Sequence, residues 1–94
     1  MTDGAVRVRI PTILRTYTGG ESEVGAQGDT LAEVLADLEA SYPGIRDRIL
    51  DDQGALRRFV NVYVGNDDVR FLEALQTKVE PGAQVSVIPA VAGG

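Results

Sequence analysis

The sequence predicts an α+β fold in which one main helix packs on one face of a mixed sheet of four to five strands. Three observations carry this prediction. Two segments near the ends of the chain and one past its middle alternate apolar and polar residues, as half-buried strands do. A single stretch places its apolar residues at helical spacing behind a cap sequence. Turn residues punctuate the chain between these segments.

The first strand is Ala5 to Ile10, with Val6, Val8 and Ile10 on one face and Arg7 and Arg9 on the other. Pro11 ends it or sits at its edge, because proline cannot donate to a ladder. Thr18-Gly19-Gly20-Glu21 reads as a turn and Glu23 to Gln27 as a short second strand. Thr30-Leu31-Ala32-Glu33 then matches a capping box, in which a threonine cap is followed three residues later by glutamate. Leu31, Val34, Leu35, Leu38 and Tyr42 share one helical face, which leaves Glu33, Asp37 and Glu39 toward solvent. Pro43-Gly44 stops the helix. Ile45 to Leu50 suggests a short turn of helix and Asp51-Asp52-Gln53-Gly54 a loop.

Phe59 to Val64 is dense in β-branched and aromatic residues and reads as a strand. Val60, Val62 and Val64 fall on one face; Phe59, Asn61 and Tyr63 fall on the other. Gly65-Asn66-Asp67 is a turn signal, Phe71 to Leu75 a helical turn, and Glu80-Pro81-Gly82-Ala83 a second turn. Val85 to Ile88 is the last strand, closed by Pro89. The first and last strands both read as central. The order of strand, strand, helix, strand, short strand or turn, strand is that of the β-grasp, or ubiquitin-like, arrangement. Residues 1–94 are expected to form one such domain, with residues 90–94 as a flexible functional tail.

The totals agree with one small domain. The chain has 94 residues, 44% of them hydrophobic, which argues against disorder. Three tyrosines and two phenylalanines are the whole aromatic complement, so the core must be mostly Val, Ile, Leu and Ala. A net charge of −5 disfavours a phosphate backbone as partner. No basic amphipathic stretch suggests a membrane surface, no apolar run approaches a membrane span, and no secretory leader opens the chain. A cytoplasmic protein is therefore expected.

The sequence contains no Cys and no His, which removes thiol nucleophiles, Cys/His metal sites and the commonest general base. No phosphate-binding loop, dinucleotide fingerprint or nucleophile elbow is present. Asp51-Asp52 and Asp67-Asp68 are paired carboxylates, but neither fits a calcium loop, and aspartate beside Gly or Asn is favoured in turns for its own backbone hydrogen bonds. The expectation is a protein without an active site of its own, and with no bound cofactor or metal.

The unusual feature is the end of the sequence. The last strand runs into Pro89, then Ala90-Val91-Ala92-Gly93-Gly94. Termini are commonly frayed, and an idle tail is the plain reading. A chemical reading also fits. Six residues from Pro89 span about 20 Å when extended. Glycines lack side chains and tolerate backbone angles closed to other residues, so Gly93, Ala92 and Val91 would let the Gly94 carboxylate thread a narrow tunnel.

Ile88-Pro89-Ala90-Val91-Ala92-Gly93-Gly94 resembles the tail of the MoaD/ThiS family of ubiquitin-like sulfur carriers. Ile10-Pro11-Thr12-Ile13-Leu14-Arg15, Thr18-Gly19-Gly20, Gly28-Asp29-Thr30-Leu31, Asp37-Leu38-Glu39-Ala40, Arg58 to Val64 and Asp68-Val69-Arg70-Phe71 resemble the actinobacterial members that serve cysteine synthesis. The likeness covers nearly the whole chain after its first few residues. It implies that an E1-like enzyme of the MoeB or MoeZ type, consuming ATP, adenylates Gly94, and that the carboxylate becomes a thiocarboxylate. It also implies a phosphoserine-using cysteine synthase and a JAMM-type metallopeptidase as later partners. Three readings stand beside one another: a sulfur donor, for cysteine or for molybdopterin, thiamin or a secondary metabolite; a protein modifier joined to lysines through the same tail; and a binding module with an idle tail.

Strand alternation also marks a partner surface. If Val60, Val62, Val85 and Val87 face the helix, then Phe59, Tyr63, Ser86 and Ile88 face away. Apolar groups clustered on one surface mark interaction sites, which singles out Phe59, Tyr63 and Ile88, bordered by Arg7 and Arg9.

Overall fold

The structure is a computed structural model, and it describes residues 5–89. Five strands form one sheet: β1 (Val6–Arg9), β2 (Glu23–Ala26), β3 (Val60–Val64), β4 (Asp67–Asp68) and β5 (Gln84–Pro89). Their order across the sheet is β2-β1-β5-β3-β4. β5 pairs in parallel with β1 and antiparallel with β3, so the last strand of the chain is the middle strand of the sheet. The outer pairs β1–β2 and β3–β4 are antiparallel. This mixed sheet with a helix on one face is the β-grasp expected from the element order.

The main helix, α1 (Leu31–Ser41), buries Leu31, Val34, Leu35 and Leu38. Facing them from the sheet are Val6, Val8, Val24, Val62, Val85 and Val87, all buried. The buried hydrophobic residues are aliphatic throughout, and Tyr17 and Tyr42 pack at the margin. Alternation is strict on β1, where Val6 and Val8 are buried and Arg7 and Arg9 exposed. The short helix α2 (Arg46–Ile49) contributes Ile49.

Thr30 is the helix cap: its hydroxyl accepts from the Glu33 N–H at 3.3 Å. The reciprocal half of the box is displaced by one residue, because the Glu33 carboxylate accepts from the Asp29 N–H at 2.9 Å. Asp37 and Glu39 lie off the buried face of α1, as expected, and also accept backbone donors. Asp37 accepts from the Gln27 N–H at 2.9 Å, and Glu39 from the N–H groups of Gly44 and Arg46, each at 2.9 Å. The polar side of α1 therefore satisfies backbone donors in the loops at its two ends.

Two connections differ from the sequence reading. Between Pro11 and the turn expected at residues 18–21, where no element was expected, the chain winds through a 3₁₀ segment, Thr12–Thr18, that buries Leu14 and Thr18. Where one helical turn was expected over Phe71 to Leu75, there are two 3₁₀ turns, Val69–Phe71 and Ala74–Gln76. Ala74, the first residue of the second turn, has φ 51°, a left-handed conformation that interrupts any continuous helix.

Candidate functional site

The site is built where β5 leaves the sheet. Ile88 stands opposite Asn61, and Ser86 stands between Tyr63 on β3 and Arg9 on β1. Because neighbouring side chains alternate, Val85 and Val87 enter the core while Ser86 and Ile88 point to the uncovered face. Ile88 is 48% exposed and Phe59 57% exposed, whereas Tyr63 is half-buried. The structure thus brings Tyr63 and Ile88 onto one open sheet face; Phe59 lies just before the start of β3 and lines a separate hollow with Asp51, Arg57 and Arg58.

Beside Ile88 the surface dips into a hollow of about 410 Å³ lined by Arg9, Ile10, Arg15, Ile88 and Pro89 among others. Arg15 is fixed there, its Nε donating to the Ile10 carbonyl at 3.0 Å. On the far side of β5, Arg70 Nη1 donates to Asn61 Oδ1 at 2.7 Å, and Nη2 donates to the Arg57 carbonyl. The turn that carries Arg70 is held by Asp68, whose Oδ1 accepts from the Arg70 N–H at 2.9 Å.

Arg15 and Arg70 were not legible as members of this face. Arg15 follows an irregular 3₁₀ path, and Arg70 reaches back across nine residues to Asn61, a contact set by the 68–72 loop rather than by any period. The reactive and access positions expected from the sequence, Val91, Ala92, Gly93 and Gly94, lie outside the described residues, the last of which is Pro89, the final residue of β5.

One aspartate of each acidic pair accepts from nearby backbone N–H groups, although Asp67–Asp68 forms the short strand β4 rather than the turn expected there. Asp51 Oδ1 accepts from the N–H groups of Gln53 and Ala55 at 2.8 and 3.0 Å, closing its own loop. Among the described residues no group of three or more acidic side chains is close enough to hold a metal ion, and no helix is long and apolar enough to cross a membrane.

Three comparisons with known proteins bear on this architecture. The sulfur carrier protein CysO of Mycobacterium tuberculosis (strain ATCC 25618 / H37Rv) is 54% identical over 91 residues, 95% of this chain and 98% of the relative. A solved structure of the Amycolatopsis orientalis BexX/CysO complex contains a chain that superposes with a TM-score of 0.91 at 49% identity, covering 96% of this chain and all of that one. The crystal structure of Mycobacterium tuberculosis CysO superposes with a TM-score of 0.88 at 52% identity, covering 92% and 99% of the two chains. The profile of the ThiS family matches residues 8–94, from β1 through Gly94. Backbone superposition and sequence agree, and the chain belongs to the ThiS family of ubiquitin-like sulfur carriers, as a homologue of CysO.

Proposed function

We propose that this protein is a sulfur donor whose reactive group is the carboxylate of Gly94. The observation that supports it most is the continuity of the family match through Gly93-Gly94, on a strand that leads from the centre of the sheet toward that end. A carboxylate is a poor electrophile at neutral pH, so it must be activated. The Gly94 carboxylate attacks the α-phosphorus of ATP and pyrophosphate leaves, giving an acyl-adenylate. Sulfide, HS⁻, then attacks the acyl carbon, AMP leaves and the sulfur gives up its proton. The product is a terminal thiocarboxylate, made on an E1-like enzyme of the MoeB or MoeZ type.

The folded body is the handle by which that enzyme and later acceptors hold the tail, with Phe59, Tyr63 and Ile88 as the gripping residues. Similarity to CysO favours cysteine synthesis as the destination, through a phosphoserine-using synthase and a JAMM-type peptidase. The protein is then a co-substrate rather than a catalyst.

The test is incubation with an E1-like enzyme, ATP and a sulfide source, followed by intact-mass measurement. Replacement of one oxygen by sulfur, lost on deleting Gly93-Gly94, is the expected result. A ladder of lysine conjugates would assign the protein to the modifiers instead, and thiocarboxylate on the truncated chain would remove Gly94 from the mechanism.

A further inference from the structure

The open face segregates charge. The chain carries a net charge of −5, yet Arg7 and Arg9 project from β1 on this face, Arg15 lines the hollow beside Ile88, and Arg70 is held against Asn61. Asn61 is the β3 residue opposite Ile88, so Ile88 has arginines on both sides: Arg9 and Arg15 beyond one edge of β5, Arg70 beyond the other. Two carboxylates share the face, Glu23 opposite Arg9 and Asp68 opposite Tyr63, and both stand on the outermost strands. The middle of the face is cationic around an apolar centre, which leaves the remaining surface more acidic than the net charge alone indicates.

Two of these arginines are already ordered. Arg15 is tied to the Ile10 carbonyl, and Arg70 to Asn61 and the Arg57 carbonyl. A guanidinium held by its own protein loses less freedom when a partner engages its remaining donors. The fork geometry of those donors matches a carboxylate.

We propose that this face docks on an acidic rim, a set of carboxylates around an apolar centre, on the enzyme that receives the tail. The inference rests on the sulfur-donor reading and adds the chemistry of the partner. Oppositely charged faces steer encounter, so the arginines act chiefly on the association rate and orient Ile88, one residue before Pro89, toward the partner.

The experiment measures stopped-flow association of the full chain with the E1-like enzyme between low and high salt. Arg9→Glu is compared with Lys78→Glu, which makes the same charge change on the helix side, where Lys78 bridges Thr30. Wild-type association is expected to slow about tenfold across the salt range, and Arg9→Glu to slow it about tenfold at low salt. Lys78→Glu should stay within about twofold of wild type, since a distant charge is screened. Melting curves check that both variants fold. A rate indifferent to salt, or equal effects of the two reversals, would overturn the acidic rim. Tight binding to a duplex oligonucleotide at physiological salt would assign the arginines to phosphate instead. Self-association of the wild type that Arg9→Glu abolishes would make a second copy the occupant. Intact mass is read on the same samples: association without sulfur gain overturns the sulfur-donor reading alone, and no association overturns both.

Discussion

The carboxylate of Glu39, near the end of α1, accepts a 2.9 Å hydrogen bond from the N–H of Gly44, and its second oxygen takes the N–H of Arg46. Gly44 has φ 98°, and an added Cβ there would lie 3.0 Å from the Tyr17 ring. One side chain thereby ties α1 to the turn after it and to the start of α2.

Those two backbone donors hold the Glu39 carboxyl below its ordinary value of 4.5. A folded-state pKa below the unfolded one gives stability that is complete above the unfolded value and is lost as pH falls through the folded value. Stability should therefore decline as pH drops below about 4.5, and part of that decline should be missing in Glu39→Gln. Urea midpoints of both proteins between pH 6 and 3 check this; parallel curves would mean that Glu39 carries none of it.

Thr30→Ala should cost about 1 kcal/mol, the usual loss for a helix N-cap. Thiocarboxylate formation should be unchanged. An unaltered denaturation midpoint would show that the 3.3 Å bond to the Glu33 N–H contributes nothing.

Gly28→Ala should be more damaging than its partly exposed position suggests. An added Cβ would lie 2.6 Å from the Val34 nitrogen and 2.8 Å from the Glu33 Cβ, and the helix backbone cannot move aside as a side chain would. A cost of about 1–3 kcal/mol, typical of overpacking, is expected in chemical denaturation.

Phe59→Ser, Tyr63→Ser and Ile88→Ser should weaken binding to the E1-like enzyme more than they lower the melting temperature. Leu35→Ala should do the reverse, costing about 2–5 kcal/mol because Leu35 is wholly buried. Titration and melting of each variant separate the two classes. If the three serine variants melted early and bound normally, these residues would be packing groups.

Gly93→Ala should fold as the wild type does and be adenylated roughly tenfold more slowly, about 1.4 kcal/mol in the barrier. Single-turnover adenylation measures it, and a wild-type rate would contradict passage through a tight tunnel.

How much was legible in the sequence follows from where periodicity holds. Val6, Val8, Val62, Val85 and Val87 alternate with polar or outward residues, and each is buried as the alternation requires. The Thr30 cap and the 3.6-residue spacing located α1 to within a residue of its observed Leu31 start. The open sheet face was read from the same alternation, which is why Tyr63 and Ile88 emerge together. The path from Thr12 to Thr18 carries no period, and neither do the turns around Ala74. Contacts that depend on such paths, Arg70 to Asn61 above all, were outside the reach of pattern. So was the use of Glu33, Asp37 and Glu39 as backbone acceptors, since a helical wheel gives direction and not the position of a loop.

The central place of β5 has a mechanical meaning. Residues 84–89 join two hairpins that are otherwise unconnected within the sheet, β1–β2 and β3–β4. The sheet cannot close until residues 84–89 pair, so the two halves share no ladder before that strand is in place. Any pull on the chain beyond Pro89 is borne by a strand bonded along both edges, one ladder parallel and the other antiparallel. Such a load shears both ladders at once rather than peeling an edge. A partner that pulled on the chain past Pro89 would therefore load a strand held along both of its edges.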